Sequence, residues 1–359
     1  MILLVPFILA AGCGEKFILP KSILIHKLDP SGNVSWVTTF ENGMGVSARS
    51  ILEMSDGGYL IYGSESNVPQ NEPGHQSYPL LIRLDSQGTI TWSRTLNQTL
   101  VPPAMYGLAA SSAVVTQTGD ILISTNRPDN YFILTGPDGT ITWVRPAPVS
   151  INSAIPTCDG GGLFVGMGVI KADRNGAIRW ETPLKGSKKA LQTSDGRYIL
   201  DHHALSGTPP QMVTDRRSIS CLDTNGTIIW SYAIEGKYTN DVTSLHETPG
   251  GLVEATLVSG QQLTFNRDGE VIAEKNITAA STLSRTSDGE YIYWLCSPRE
   301  TVGTLPPVSA DCSKPDAVFH VVREAPNGTL VWDHAFEKEF LHGYPSTILQ
   351  TRDGGFILL

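Results

Sequence analysis

The chain is expected to fold as an all-β propeller of seven four-stranded antiparallel blades. Three observations lead there. A phrase Gly-x-[Ile/Val/Leu]-x-Trp recurs along the sequence, a second phrase built on Asp-Gly alternates with it, and the short runs between them are apolar. Repetition at roughly 40–50 residues marks an array of identical supersecondary units, and four short strands per unit is the make-up of a propeller blade.

The first phrase appears as Gly32-Asn-Val-Ser-Trp36, Gly88-Thr-Ile-Thr-Trp92, Gly139-Thr-Ile-Thr-Trp143, Gly176-Ala-Ile-Arg-Trp180, Gly226-Thr-Ile-Ile-Trp230 and Gly328-Thr-Leu-Val-Trp332. Gly269-Glu-Val-Ile-Ala273 is a seventh copy with Ala in the Trp position, so six of the seven tryptophans share one place in the repeat. The second phrase appears as Ser55-Asp-Gly-Gly-Tyr59, Cys158-Asp-Gly-Gly161, Ser194-Asp-Gly-Arg-Tyr198, Thr248-Pro-Gly-Gly251, Ser287-Asp-Gly-Glu-Tyr291 and Arg352-Asp-Gly-Gly-Phe356, with Thr118-Gly-Asp120 a shortened copy. Gly supplies the positive φ of a tight hairpin turn and Asp bonds the turn backbone.

Each unit then reads as four strands, A to D. The Asp-Gly turn joins A to B, as between Ser50–Met54 and Tyr59–Tyr62; the Gly-x-Ile-x-Trp turn joins C to D, as between Leu81–Leu84 and Thr89–Ser93. Strands A and B read as nearly continuous apolar runs, which suits strands covered on both faces by neighbouring blades. The repeated Trp belongs in the wedge between blades, as packing. The chain opens on a C–D pair, Ile23–Leu28 and Asn33–Thr38, and stops on an A–B pair, Thr347–Thr351 and Phe356–Leu359. These halves complete one blade and close the ring, removing an open sheet edge.

The A–B and C–D turns lie on one face and are uniform. The D-to-A and B-to-C loops lie on the other, the longest being Glu65–Tyr78, His202–Arg217 and Ser297–Asp316, with Asn97–Tyr106 next. Variable loops on a rigid scaffold are where binding usually sits, so function is expected on this long-loop face.

Bulk composition narrows the class. The chain has 359 residues, 17% charged, with 35 glycines and 23 prolines, a turn-rich composition. Its net charge is −9 with no basic run or stripe, which argues against nucleic-acid binding. Residues 1–13 read as a signal segment and 14–359 as a single propeller domain. The run Met1–Gly12 is apolar, too short to span a bilayer, and ends in small residues before Cys13, the pattern of a lipobox with Cys13 as the acylated residue. The other reading makes Met1–Leu9 a buried first strand and Cys13 an ordinary thiol. Cys296 and Cys312 bracket a Pro-rich loop that a disulfide would close; Cys158 and Cys221 fall in different repeats and are expected to be free.

With Gly-x-Ile-x-Trp on the outer strand, the repeat resembles the PQQ-like propeller repeat. Leu222-Asp-Thr-Asn-Gly-Thr-Ile-Ile-Trp230 and Gln192-Thr-Ser-Asp-Gly-Arg-Tyr-Ile-Leu200 look especially like repeats of exported prokaryotic, notably methanogen, surface propeller lipoproteins. The resemblance covers the chain after Lys16 and implies the fold, export and lipid anchoring. It includes quinone-dependent dehydrogenases, but no adjacent cysteine pair occurs here and seven blades are counted where those enzymes usually have eight. No quinone or other organic cofactor is therefore expected.

The candidate site residues all belong to the long-loop face. Asp201-His202-His203 stands where a B strand meets a long loop, and paired imidazoles beside a carboxylate suit a transition metal or an acid/base pair. Asp241 and His342 stand at strand starts on the same face, with Arg49, Tyr106 and the pair Lys188-Lys189 near them. Solvated loop-edge polar residues are the alternative reading for all of these, since no known metal-ligand spacing is matched. The expectation is an extracytoplasmic, lipid-anchored cell-surface protein that binds a protein or glycan without catalysis. The alternative is a propeller-type hydrolase or oxidoreductase with its site at the channel mouth.

Overall fold

A computed structural model describes residues 22–42, 45–66, 77–96, 109–126, 130–206, 213–234, 241–277, 283–298, 317–336 and 347–359. The 1–13 segment with Cys13, and also Tyr106, Cys312 and His342, lie outside these residues. The described residues contain no helix, and their strands form seven four-stranded antiparallel sheets.

Ser22–Leu28 (β1) and Val34–Glu41 (β2) are a C–D pair. Blade 1 follows as Gly45–Glu53 (β3), Tyr59–Ser66 (β4), Ser77–Leu84 (β5) and Ile90–Thr95 (β6). Blade 2 is Ala109–Val115 (β7), Ile121–Asn126 (β8), Tyr131–Thr135 (β9) and Ile141–Pro146 (β10). Blade 3 is Ile151–Pro156 (β11), Gly162–Gly166 (β12), Val169–Ala172 (β13) and Ile178–Thr182 (β14). Blade 4 is Ala190–Gln192 (β15), Tyr198–Ser206 (β16), Val213–Leu222 (β17) and Ile228–Ala233 (β18). Blade 5 is Val242–Glu247 (β19), Val253–Leu257 (β20), Gln261–Phe265 (β21) and Val271–Asn276 (β22). Blade 6 is Ser284–Arg285 (β23), Tyr291–Pro298 (β24), Ala317–Glu324 (β25) and Leu330–Phe336 (β26). Ile348–Gln350 (β27) and Phe356–Leu358 (β28) are strands A and B of blade 7. Its C and D are β1 and β2, so the ring closes through β1–β28 pairing, with His26 opposite Leu358 and Leu28 opposite Phe356.

Strand A is innermost and strand D outermost, as the mutual contacts of β7, β11, β15 and β19 require. The most completely buried strands are B and C, not A and B: β12, β13 and β20 are buried throughout, whereas β11 and β19 are half-exposed along most of their length. Strands B and C have a strand on each side and a blade on each face; strand A has the channel on one side. Apolar clusters span adjacent blades, one joining Leu60, Tyr62 and Leu81 of blade 1 to Ala113, Ile121 and Ile133 of blade 2.

The tryptophans act as inter-blade packing. Each strand-D Trp lies over the C–D turn glycine of the next blade: Trp36 over Gly88, Trp92 over Gly139, Trp143 over Gly176, Trp180 over Gly226, Trp230 over Gly269 and, across the closure, Trp332 over Gly32. A Cβ on Gly88 would stand 2.6 Å from the Trp36 ring, and Gly88 has φ +80°, so this position requires glycine twice over. The rings also meet strand-B aromatics of the next blade, as in Trp36–Tyr59, Trp180–Tyr198 and Trp332–Phe356 at 5.7–5.9 Å between centroids. At the degenerate copy, Ala273 leaves Gly328 with no atom of blade 5 above it, and Lys275 Nζ covers Tyr291 instead, 5.7 Å from the ring centroid.

The turn carboxylates have partners that the repeat phrases do not reveal. A cation near the end of strand C reaches the Asp of the A–B turn in its own blade. The pairs are Arg83–Asp56 (2.5 Å), Lys171–Asp159 (2.7 Å), Arg323–Asp288 (2.5 Å) and Lys27–Asp353 (2.9 Å). In blades 1 and 7 a Cβ on the second turn glycine, Gly58 or Gly355, would collide both with the backbone carbonyl that ends strand C, Leu84 O or Leu28 O, and with the Arg83 guanidinium or the Lys27 ammonium. Blade 4 has the buried Cys221 at the strand-C position, and there the second glycine is replaced by Arg197, which binds Asp195 at 2.7 Å from within the turn.

Two loops are shorter than expected. The region His202–Arg217 is largely strand, since β16 continues to Ser206 and pairs with β17 from Val213, placing His203 opposite Arg217. Likewise β4 continues to Ser66 and β5 begins at Ser77. Polar side chains in these arms resemble loop composition, yet Ser66 and Ser77 face each other across β4 and β5 and are buried.

Candidate functional site

The Asp201–His203 stretch is mid-strand, so its side chains alternate between the two faces of the sheet. Asp201 is fully buried and accepts the backbone N–H groups of Lys188 (2.8 Å) and Lys189 (2.7 Å). Its other oxygen takes Arg217 Nη1 at 2.7 Å. Arg217 Nη2 continues to Asp241 Oδ1 at 2.6 Å, and Lys188 Nζ binds Asp241 Oδ2 at 2.6 Å. One network therefore ties strands A, B and C of blade 4 to the start of blade 5. Arg217 is its centre, and Arg217 was not among the residues singled out from sequence. Its signal, a cation opposite His203 in a hairpin arm, is visible only once the register of β16 on β17 is known.

His202 faces the other way. It is buried, with Nε2 2.8 Å from Ser220 Oγ, which in turn donates to Ser231 Oγ at 2.9 Å. His203 is half-buried beside Gly186, and its backbone N–H donates to Lys185 O at 2.8 Å. The two imidazoles do not converge, and among the described residues no three His, Cys, Asp or Glu side chains form a group able to hold a metal. Asp201 and Asp241 come together through Arg217; His202 does not join them.

Environment sets the charges. Burial pushes the Asp201 carboxyl above its ordinary range, against the opposing pull of the Lys189 and Lys188 N–H groups and the Arg217 charge. Burial acts the same way on Asp241, but the Lys188 hydrogen bond and the Arg217 and Lys188 charges outweigh it and hold Asp241 below the usual value. Burial lowers His202, and burial together with the Arg217 charge lowers His203, so both are neutral at pH 7. Arg49, on β3 across the channel, is exposed, and its charge reaches Lys189 of blade 4.

Two cavities adjoin this region. One of about 240 Å³ opens in the channel between β15, β19 and β23 and is lined by Lys189, Ser244, His246 and Arg285 among others. The other, about 430 Å³, lies on the turn face between blades 3 and 4. Trp180 and Tyr198 line it, Cys158 is a free exposed thiol at its edge, and its Lys171 and Asp159 are already paired. Cys221 is also free; burial raises its thiol to about 11, so it is inert at neutral pH.

Residues 137–291 match the PQQ_2 family model, described as outer membrane protein assembly factor BamB. The described residues form a seven-bladed β-propeller, and the matched part is similar to the PQQ-like repeat family. Among solved structures, the WD40 propeller domain of Doa1 superposes with a TM-score of 0.54 at 10% identity, over 88% of this chain and 90% of that one. BamB from Moraxella catarrhalis gives 0.46 at 12% identity, over 87% and 99% of the two chains. A protein of unknown function from Bacteroides caccae gives 0.44 at 15%, over 78% and 95%. Comparison with curated proteins finds no match.

Proposed function

We propose that this protein is an exported, lipid-anchored propeller at the cell envelope, a noncatalytic scaffold that docks a protein or glycan on its long-loop face. The observation that carries the reading is that the polar candidates are held by neighbouring side chains of the scaffold. Asp201 and Asp241 are held by Arg217 and Lys188, and His202 by Ser220. A general base needs a lone pair directed at substrate, whereas a network of this kind stiffens the face that carries the loops. The family model matched by residues 137–291 is named for an envelope assembly factor, which favours a protein partner there. The apolar segment before Cys13 supports acylation at that residue.

A photo-crosslinking residue in place of Lys185, beside the long loops, is expected to trap a partner in envelope fractions. The same residue in place of Ser194, on the turn face, is expected to trap none. Cys13→Ser is expected to release the protein from the membrane fraction. Equal trapping from both faces, or membrane retention of Cys13→Ser, overturns the reading. A hydrolase or oxidoreductase at the channel mouth would instead lose its activity in His202→Ala while keeping its melting temperature.

A further inference from the structure

The channel cavity between β15, β19 and β23 has a charge imbalance that the network around Asp201 does not absorb. Of its two cations, Arg285 faces Glu254 and stacks on Tyr291, 5.4 Å from the ring centroid. Lys189 has no hydrogen bond or ion pair at its ammonium among the described residues; the Asp201 carboxylate beside it is taken by Arg217 and two backbone N–H groups. The lysine is exposed at the open side of the cavity, and desolvation by the protein around it, reinforced by the Arg49 and Lys188 charges, lowers its ammonium pKa against the pull of the Asp201 carboxylate. Arg49 adds a second positive charge from the opposite side of the channel. This positive locus lies inside a chain of net charge −9, where low-dielectric walls concentrate the field.

The rest of the lining is made of hydrogen-bonding groups. Ser244 and Ser284 are half-buried on two adjacent inner strands, and His246 is half-buried beside Arg285. Burial and the Arg285 charge lower His246, which therefore meets a ligand as a neutral imidazole, donor through one nitrogen. At about 240 Å³ the space falls just below the roughly 300–1,000 Å³ of pockets for drug-sized ligands, which suits a small ion better than a large cofactor.

We propose that this cavity binds a small oxyanion, a carboxylate or a phosphate, with Lys189 as its counter-charge and Ser244, Ser284 and His246 as hydrogen-bonding partners. A charge-assisted bond of this type contributes enough that its loss weakens binding at least about tenfold. Calorimetric titration of the full chain with sodium phosphate and with sodium succinate, against sodium chloride at matched ionic strength, tests it. Saturable binding of either anion is expected, weakened at least about tenfold in Lys189→Gln and retained in Lys189→Arg and in the exposed control Lys185→Gln. Binding of phosphate alone identifies a phosphoryl source, and binding of succinate alone a carboxylate source. Should Lys189→Gln not melt cooperatively, Ser284→Asp, which sets a carboxylate in the cavity, is expected to abolish binding. The proposal is overturned if chloride reproduces the heat, or if Lys189→Gln or Ser284→Asp binds like the parent protein.

Discussion

Arg217 shows how one side chain can decide the character of a site. Its guanidinium joins a carboxylate buried in strand B to one at the start of the next blade, and Asp201 has no solvent to turn to when that partner leaves. Arg217→Met is therefore expected to destabilise by about 3 kcal/mol, the cost of breaking a buried pair from one side, read as a lower urea midpoint. Asp201→Asn keeps one oxygen, which can still accept both backbone N–H groups, and loses only the Arg217 contact, so it is expected to cost less. His202 makes a different prediction. Its pKa is lowered by burial, so its share of stability is complete above the ordinary imidazole value of about 6.5 and falls away as pH drops below it. His202→Gln, compared with the parent protein by urea unfolding at pH 7 and pH 5, is expected to show a shallower loss on acidification. An unchanged slope would place the acid sensitivity elsewhere.

At the scale of the element, the blade seams and the turns carry the argument. Six seams are filled by a Trp over a turn glycine and one is not. Ala273→Trp is expected to stabilise, by about 1 kcal/mol from added apolar burial, and to raise the melting temperature. Trp36→Ala at a filled seam is expected to cost about 2 kcal/mol, less than a fully buried Trp because the ring is half-exposed. The turn carboxylates Asp159, Asp288 and Asp353 resist the upward push of burial because Thr157, Thr286 and Thr351 and the strand-C cations hold them low, and Asp56 is lowered first by the Gly58 N–H and then by Arg83. Groups lowered in this way contribute fully above their unfolded value near 4 and lose that contribution below it, as pH falls through their lowered folded values. Lys171→Met, by removing one partner, is expected to show a smaller drop in melting temperature between pH 5 and pH 3 than the parent protein.

For the whole molecule, closure is the decisive feature. β28 pairs with β1 and β27 with β28, and Trp332 seats on Gly32 across the same junction. Deleting residues 347–359 strips strands A and B from blade 7 and leaves β1 with one paired edge. The expected outcome is loss of the cooperative thermal transition with retention of strand signal in the far-ultraviolet circular dichroism spectrum. A transition as sharp as that of the full chain would mean that six blades close without the seventh.

Blade number, strand order, the closing blade and the packing role of the tryptophans were all legible in the sequence, because each depends on a local phrase that repeats. A hairpin turn needs its glycine wherever the hairpin sits, and a wedge needs its indole. The Lys27–Asp353 and Arg83–Asp56 pairs were legible in principle, as a cation just before the last residue of strand C, yet they emerge only when the two phrases are read together as one blade. The candidate site was legible in part. Asp201 and Asp241 were found as polar residues on the expected face, but their common partner Arg217 and the opposite facing of His202 depend on the β16–β17 register, which composition does not encode. The channel cavity at Lys189 belongs wholly to tertiary structure. It is built from three inner strands of three blades, and only closure of the ring brings Arg49 across from it.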